Sequence, residues 1–328
     1  MFFNHISKNI TKIATIGSVL VMGGGLLGGC GATGLSNDSG SSTSKVEKKA
    51  PSKLKIGVSI STLSNPVFIT LKNELQKYSD KKGSKIIINN ANNDTSKQNN
   101  DVEDLIQQKV DAIIVNPCDS SAISTVIQKA NDAKIPVICI DRGADRGTVV
   151  STVASDNVAG GKMAANFLIK NLGLKAKIAE LQGIPGASAT RERGEGFDKI
   201  ADKKLDIVSK QTAQFDRAKG LSVTENILQA HHDVKGIFSQ NDEMAVGAAR
   251  AVKASKKNII IIGFDGTNDA LKLIKSGQIT ATIAQQWDKM ADTSLDAVYD
   301  YYQGKTVKKN NLVPVRLITK ENVDSMLK

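Results

Sequence analysis

Polar and aromatic side chains follow several short apolar segments of the sequence, and their types suit a small ligand rich in hydroxyl groups. Asp141 and Arg142 follow the apolar segment 137–140, and Asp265 follows the segment 259–264. Carboxylates accept hydrogen bonds from hydroxyl groups, guanidinium groups donate to them, and the rings of Phe68 and Phe215 can cover the C–H faces of a sugar. Each residue alone more often serves as a cap or turn residue, so the argument depends on the whole set. That set comprises residues 61–65, 141–142, 191–193, 214–216, 240–242, 265 and 285.

The sequence contains no pattern that predicts catalysis, a metal ion or a bound phosphate. His231 and His232 are adjacent, so on a helix they point about 100° apart and cannot both face one metal ion. Gly304-Lys305-Thr306 resembles the end of a phosphate-binding loop, but Tyr299 stands where that loop requires glycine. No nucleophile has a plausible base beside it in sequence. We therefore predict a binding protein, not an enzyme, with no cofactor and no metal ion.

The elements that must position these residues alternate regularly between strand and helix. Asp94, Asp156 and Asp216 precede amphipathic stretches and are typical of helix starts. Alternation of this kind predicts parallel sheets with helices on both faces, here in two similar domains on either side of about Ser155. Ligands of such sheets bind outside the carboxyl ends of the strands, so two facing sheets would form an interdomain cleft. The strand candidates are 55–59, 85–89, 112–116, 137–140, 177–181, 207–210, 236–239, 259–264 and 280–284.

Composition and charge narrow the class of protein further. The chain has 328 residues, of which 40% are hydrophobic and 23% charged, and this balance excludes a fibrous or wholly disordered protein. The formal net charge is +11, but the lysines are scattered and only 4% of residues are aromatic. A nucleic-acid-binding protein would more often concentrate Arg in one stripe with interleaved aromatic residues. We therefore interpret the excess as a solvated basic surface, with no nucleic acid as partner.

The N-terminal segment has the pattern of an export signal followed by an anchor. Residues 1–29 combine two early lysines with an uncharged apolar run, which is typical of a signal peptide. The run ends in Leu27-Gly28-Gly29-Cys30, which resembles the lipobox of bacterial lipoproteins. Residues 30–52 would then be a lipidated Cys30 with a flexible, Gly- and Ser-rich tether. This pattern predicts an extracytoplasmic protein anchored to the cell membrane, with Cys118 and Cys139 as buried free thiols.

Nine segments of the body resemble the periplasmic ribose-binding proteins of bacterial ABC transporters. The resemblance begins at about Lys53, runs through the rest of the chain, and keeps the order and spacing of the segments with small gaps. The segments are STLSNPVF at 61–68, IDR at 140–142, SDN at 155–157, ELQG at 180–183, RERGEGF at 191–197, FDR at 215–217, QNDEMA at 240–245, GFDGT at 263–267 and TIAQ at 282–285.

The resemblance implies a topology and a ligand site. The fold would be α/β, with two similar Rossmann-like lobes joined by three hinge crossings and the ligand in the cleft between them. Residues 53–155 and about 286–313 would form the first lobe, and residues 156–285 and about 314–328 the second. Val67 stands where the family has a second aromatic residue, so a sugar related to ribose is as well suited as ribose itself. The implied ligand residues are Asn65, Phe68, Asp141, Arg142, Arg193, Phe215, Asn241, Asp265 and Gln285.

Four functions are compatible with such a fold, and the sequence favours the first. It is a monomeric, lipid-anchored receptor that delivers a monosaccharide to a membrane permease of the ABC type. A sensory receptor for a sugar or an autoinducer-like ligand, signalling to a membrane kinase, would have the same body and differ only in its partner. A transcription regulator of the lactose-repressor type needs an N-terminal helix-turn-helix, where this chain has a signal and Cys30. An extracytoplasmic enzyme would need a catalytic constellation.

Overall fold

The computed structural model describes residues 47–327, and these contain twelve strands and nine α-helices. The strands form two sheets of six. Every pairing is parallel except the one between the last two strands, in chain order, of the second sheet. The predicted α/β fold with two similar lobes is therefore confirmed. No helix within these residues is long and apolar enough to cross a membrane.

The two sheets have the same winding order. The strands of the first sheet are β1 Lys55–Ile60, β2 Lys85–Asn90, β3 Ala112–Val115, β4 Val137–Ile140, β5 Ser151–Ser155 and β11 Asn310–Val313. Those of the second are β6 Lys177–Gln182, β7 Asp206–Thr212, β8 Gly236–Ser239, β9 Ile260–Asp265, β10 Ala281–Ala284 and β12 Arg316–Thr319. The spatial order is β11-β5-β4-β3-β1-β2 in the first sheet and β12-β10-β9-β8-β6-β7 in the second.

Helices cover both faces of each sheet, and aspartates fix the starts of three of them as predicted. The side chains of Asp94, Asp156 and Asp216 each accept a hydrogen bond from a backbone N–H of the first turn, at 2.8–2.9 Å. The helices are α1 Pro66–Lys82, α2 Thr95–Gln107, α3 Ser124–Asp132, α4 Asn157–Leu172, α5 Ser188–Lys204, α6 Arg217–Ala230, α7 Asp242–Ser255, α8 Asn268–Lys275 and α9 Trp287–Gln303.

The chain passes between the two sheets three times. It leaves the first sheet after β5, returns after β10, and leaves again between β11 and β12, which are separated by Pro314 and Val315. The helix α9 packs against α1, β4 and β5 of the first sheet, although it follows a strand of the second. We call the first sheet with α1, α2, α3 and α9 the first lobe, and the second sheet with the remaining helices the second lobe.

Apolar side chains bury both faces of each sheet. Two clusters enclose the first sheet, one including Ile56 and Leu295 and the other including Ile113 and Val126. Two further clusters enclose the second sheet in the same way. Cys118 and Cys139 are buried and free, as predicted, and burial raises the pKa of their thiols to about 11 and about 12 respectively. Neither thiol is therefore a nucleophile at neutral pH.

Candidate ligand-binding site

The carboxyl ends of the parallel strands in both lobes face a common cleft, and a single cavity there collects all nine predicted ligand residues. The space between its lining atoms measures about 230 Å³ including its opening. Ala189, Val67 and Trp287 also line it, and of these the sequence had drawn attention to Val67 alone. The nine predicted residues in the lining are Asn65, Phe68, Asp141, Arg142, Arg193, Phe215, Asn241, Asp265 and Gln285.

In the first lobe, an amide at the end of β3 holds the carboxylate of the next strand. Asn116 donates a hydrogen bond from Nδ2 to Asp141 Oδ2 at 3.0 Å and accepts one from the backbone N–H of Ser61 at 3.1 Å. Arg142 donates from Nη1 to the carbonyl of Pro117 at 3.0 Å, and its Nε lies 3.5 Å from Asp141 Oδ2. Asn116 was not among the predicted residues. Its position directly after a buried strand is the same signal that identified the others.

Arg193 is the central cation of the second lobe. Its Nε donates to Asn157 Oδ1 at 2.9 Å and its Nη1 to the carbonyl of Gln240 at 2.7 Å. The guanidinium lies 3.8 Å from the ring centroid of Phe264 and 3.8 Å from Asp265 Oδ1. A role as the cap of α5 is excluded, because the N-cap position is Ala187 and Arg193 lies within the second turn.

A glycine on α4 allows this arginine to reach the cleft. A Cβ atom at Gly161 would lie 2.2 Å from the carbonyl oxygen of Arg193, so only glycine lets α4 and α5 approach this closely. The close contact places the backbone of Arg193 directly against α4. Asn157, in the first turn of α4, is thereby within hydrogen-bonding distance of the guanidinium.

A glutamine at the hinge joins the two lobes beside the cavity. Gln285 donates from Nε2 to Asp265 Oδ1 at 2.7 Å and accepts from Ser155 Oγ at 2.7 Å. Ser155 ends β5 of the first lobe, whereas Asp265 ends β9 of the second. Burial raises the pKa of Asp265 well above its ordinary value, and the nearby Arg193 opposes that rise. Burial likewise raises the pKa of the neighbouring Asp242 to about 6.

Two aromatic rings, one from each lobe, flank the guanidinium of Arg142. Its carbon atom lies 5.4 Å from the centroid of Phe68 and 5.5 Å from that of Phe215. Asn241 donates from Nδ2 to the carbonyl of Phe215 at 3.3 Å, which fixes the loop carrying that ring. Trp287 meets Phe68 edge-on, with centroids 5.9 Å apart at 81°.

Three cavity-lining side chains each carry a buried polar atom that has no hydrogen-bond partner among residues 47–327. They are Nε of Arg142, Oδ2 of Asp265 and Nε1 of Trp287, that is, two donors and one acceptor. A buried polar group without a partner costs about 1–3 kcal/mol, so folds rarely retain three together without a use. A ligand whose groups both donate and accept, as hydroxyl groups do, matches this combination.

A buried glutamate lies behind the cavity in the second lobe. Glu180 on β6 has no exposed surface, and its Oε1 accepts from Gln240 Nε2 at 2.7 Å. Its Oε2 has no partner in the described part of the chain. Burial raises the pKa of Glu180 to about 7, with the nearby Asp198 adding to the rise. Gln240 connects this carboxyl group to Arg193, because its side-chain amide donates to Glu180 and its backbone carbonyl accepts from Arg193.

The two lobes touch on the side of the cleft away from the hinge, where loops 119–120 and 143–145 of the first lobe meet residues 186–191 of the second. We call this region the cleft mouth. The backbone N–H of Ser120 donates to the carbonyl of Gly186 at 2.9 Å, and that of Gly143 donates to Ser188 Oγ at 2.9 Å. Arg191 pairs with the first lobe across the same gap, at 3.0 Å from Asp145 Oδ1. The structure is therefore the closed form of a two-lobed protein.

Two lobes of identical winding, three crossings and a polar cavity between facing strand ends define a solute-binding protein of the two-lobed type. The family model of the periplasmic binding protein domain matches residues 56–306, and the chain belongs to that family. The ribose import binding protein of Bacillus subtilis is 54% identical over 266 residues, which are 81% of this chain and 87% of that protein.

Solved structures of sugar- and polyol-binding proteins have the same fold. A Bacillus halodurans ABC transporter solute-binding protein with bound myo-inositol has a TM-score of 0.78 and 31% identity, covering 86% of this chain and 98% of that one. An Actinobacillus succinogenes periplasmic solute-binding protein with bound D-allose has a TM-score of 0.78 and 30% identity, covering 83% of this chain and 100% of that one. The body of the chain is thus an extracytoplasmic binding protein, in agreement with the prediction.

Proposed function

We propose that this protein captures a monosaccharide, D-ribose or a close relative of it, and delivers it to the permease of an ABC transporter. The names of its relatives support import over sensing, since the B. subtilis protein at 54% identity is a ribose import binding protein. The proposal contains no covalent step. The ligand is bound, carried and released unchanged.

The observation that carries the proposal is the set of buried polar atoms without hydrogen-bond partners, in a cavity that an aromatic ring of each lobe also lines. Arg142 Nε can donate to a hydroxyl oxygen, and Asp265 Oδ2 can accept from a hydroxyl hydrogen. Phe68 of the first lobe and Phe215 of the second both line the cavity and can supply apolar surfaces to the C–H faces of a sugar ring. Hydrogen bonds to charged groups contribute about 1.5–3 kcal/mol each, so Arg142, Arg193 and the two aspartates should dominate the affinity.

Closure of the lobes provides the mechanism of capture. Asp141 and Arg142 belong to the first lobe, whereas Arg193 and Asp265 belong to the second. A ligand that contacts both pairs binds the closed form more tightly than the open form and shifts the population toward closure. A permease that recognises the closed shape would then distinguish loaded from empty receptor.

We assign membrane attachment to a lipid on Cys30, which lies outside the described residues. The support is the sequence alone: residues 1–29 resemble a signal peptide, and Leu27-Gly28-Gly29-Cys30 resembles a lipobox. The tether of residues 30–52 would connect the anchor to the folded body. In the same assignment the body is monomeric, and the lobes comprise residues 53–155 with about 286–313, and 156–285 with about 314–328.

Calorimetric titration with a defined set of sugars tests the proposed ligand. D-Ribose, D-allose, xylitol and myo-inositol are titrated into the purified protein, and unfolding is followed with and without each compound. We expect D-ribose to bind with one-to-one stoichiometry and to raise the unfolding temperature, because a ligand of the native state stabilises it by mass action. Failure of every sugar to bind would overturn the proposal, and binding of another compound with D-ribose inactive would reassign the substrate.

A further inference from the structure

Trp287 is the only tryptophan of the chain, and it stands where the hinge meets the cavity. It is the first residue of α9, two positions after Gln285, at the point where the chain returns from the second lobe to the first. No pattern in the sequence distinguishes it from a core residue. An aromatic residue at the start of an amphipathic helix is usually part of the core.

The contacts of Trp287 go beyond core packing. Its ring belongs to the apolar cluster of the first lobe and meets Phe68 edge-on. Only 8% of its surface is exposed, yet Nε1 has no acceptor among residues 47–327. A buried indole usually has a partner for its N–H, and the other two unpaired polar atoms of this cavity belong to Arg142 and Asp265. The indole is thus the third member of one set.

Trp287 also forms part of the wall on the hinge side of the cavity. Together with Val67 and Gln285 it lines both the cavity and a larger groove of about 1270 Å³, including its opening, on the other side. Val67 has a small side chain, so the indole is the largest group in this shared wall. A residue without an aromatic ring at position 287 would open the sugar cavity toward the groove.

We propose that Trp287 is a ligand-binding and specificity-determining residue: its indole N–H donates to one hydroxyl oxygen of the bound sugar, and its ring closes the hinge side of the cavity. The inference rests on the proposed function, since it requires a hydroxylated ligand in this cavity. Trp287 alone would then make the protein prefer sugars that carry the oxygen accepting from the indole N–H over sugars that lack this oxygen.

Trp287→Phe tests the hydrogen bond, because phenylalanine keeps an aromatic ring and lacks the N–H. D-Ribose and its 1-, 2-, 3-, 4- and 5-deoxy forms are titrated into wild type and variant. We expect the variant to bind D-ribose about twofold to tenfold more weakly, as the loss of one neutral hydrogen bond predicts. The same loss should recur for every deoxy sugar except the one that lacks the accepting oxygen, for which wild type and variant should bind equally.

Tyr299→Phe is the matched control on the same helix. Tyr299 is 3% exposed, shares a hydrogen bond of 2.8 Å with Ser84 and does not line the cavity. Its replacement should lower stability and leave ribose affinity unchanged. Tryptophan fluorescence of the wild type gives an independent readout, since its single indole should change emission when ribose binds.

The outcomes separate this inference from the function on which it rests. If the wild type binds none of the sugars, the proposed function and the role of Trp287 are both wrong. If the wild type binds D-ribose but Trp287→Phe retains its affinity for every sugar in the series, only the role of Trp287 is wrong. Equal losses for all six sugars would also contradict it, because they would indicate a general effect on packing.

Discussion

Gly186 at the cleft mouth offers a direct way to separate closure from folding. A Cβ atom at this position would lie 1.8 Å from Asp119 Oδ2 and 2.7 Å from its Cγ. The clash exists only where the lobes meet, since Asp119 belongs to the first lobe and Gly186 to the second. Gly186→Ala should therefore destabilise the closed form and leave the open form unchanged.

The magnitude follows from how firmly Asp119 is held. Its Oδ1 accepts hydrogen bonds from the backbone N–H groups of Ser121 and Ala122, both at 2.8 Å, so turning the carboxylate away would break both. Inserting a methyl group into a tight contact costs about 1–3 kcal/mol. If that energy falls entirely on the closed form, the affinity for ribose should drop about fivefold to 150-fold.

Calorimetry with D-ribose and thermal unfolding of the empty protein measure the two effects separately. Gly143→Ala is the matched control, because Gly143 also lies at the cleft mouth but a Cβ there would meet only Thr152 Cγ2, at 3.9 Å. That variant should bind within about twofold of wild type. Adding Asp119→Ala to Gly186→Ala should restore much of the lost affinity. Wild-type affinity in Gly186→Ala, or an equal loss in the control, would refute this account of closure.

Three further predictions concern the charged groups and the anchor. Arg193→Ala should weaken ribose binding at least about tenfold and lower the unfolding temperature, because the buried Asp265 loses its cation. As a control, Arg191→Ala removes an exposed arginine and should change the free energy of unfolding by less than about 1 kcal/mol. A larger loss of stability in Arg191→Ala than in Arg193→Ala would contradict the geometry. Glu180→Gln should remove the contribution of this carboxyl group to the pH-dependence of the free energy of unfolding. The pKa of Glu180 in the folded state, about 7, lies above the ordinary 4.5, so the wild type loses stability as the pH rises between these two values. The variant should therefore be more stable than the wild type at about pH 8, by up to about 3 kcal/mol. Parallel stability curves for the two proteins from about pH 4 to 8 would count against a buried acid at Glu180. Cys30→Ser should move the protein from the membrane to the soluble fraction on cell fractionation, and retention in the membrane after signal cleavage would exclude the lipid anchor.

The sequence predicts much of this fold, because many helix starts and strand positions depend only on residues close together in the chain. Asp94, Asp156 and Asp216 start helices through hydrogen bonds that each span three residues, so the sequence alone identifies them. All nine predicted strands are present, with boundary shifts of at most two residues. Seven of these nine strands contain buried residues, which is what an apolar composition indicates. The other two, β2 and β7, lie at sheet edges and are at most half-buried.

Three strands of the structure were not predicted, and they share a physical reason. β5 has the sequence STVAS, β11 has NNLV and β12 has RLIT, so none has the apolar run of a buried strand. β11 and β12 lie at the edges of their sheets, so each has a hydrogen-bonded neighbour on one side only. Fewer apolar side chains are needed at such a position than in the middle of a sheet. They pair with β5 and β10, which are distant in sequence, and no local pattern encodes such a choice.

The candidate site shows the same division between local and long-range information. Residues that follow strand ends were identifiable because a parallel sheet brings those ends to one edge. Trp287 was not, since its place in the cavity depends on where the hinge returns the chain. Asn157 was also missed as a partner of Arg193, because their contact requires α4 and α5 to pack at Gly161.

The hinge contacts suggest an order in which the ligand meets its partners. Gln285 bonds to Ser155 and Asp265 at the crossing strands, where rotation of the lobes moves atoms least. Groups near this axis, among them Asp265, can therefore contact a sugar before the lobes have closed. The contact of Gly186 with Ser120 joins the two lobes directly and is not part of the crossing strands, so it forms only when the lobes have closed. Substitutions near the hinge should then change how fast the sugar associates, whereas those at the cleft mouth should change how fast it leaves, because they act on a contact that only the closed form possesses.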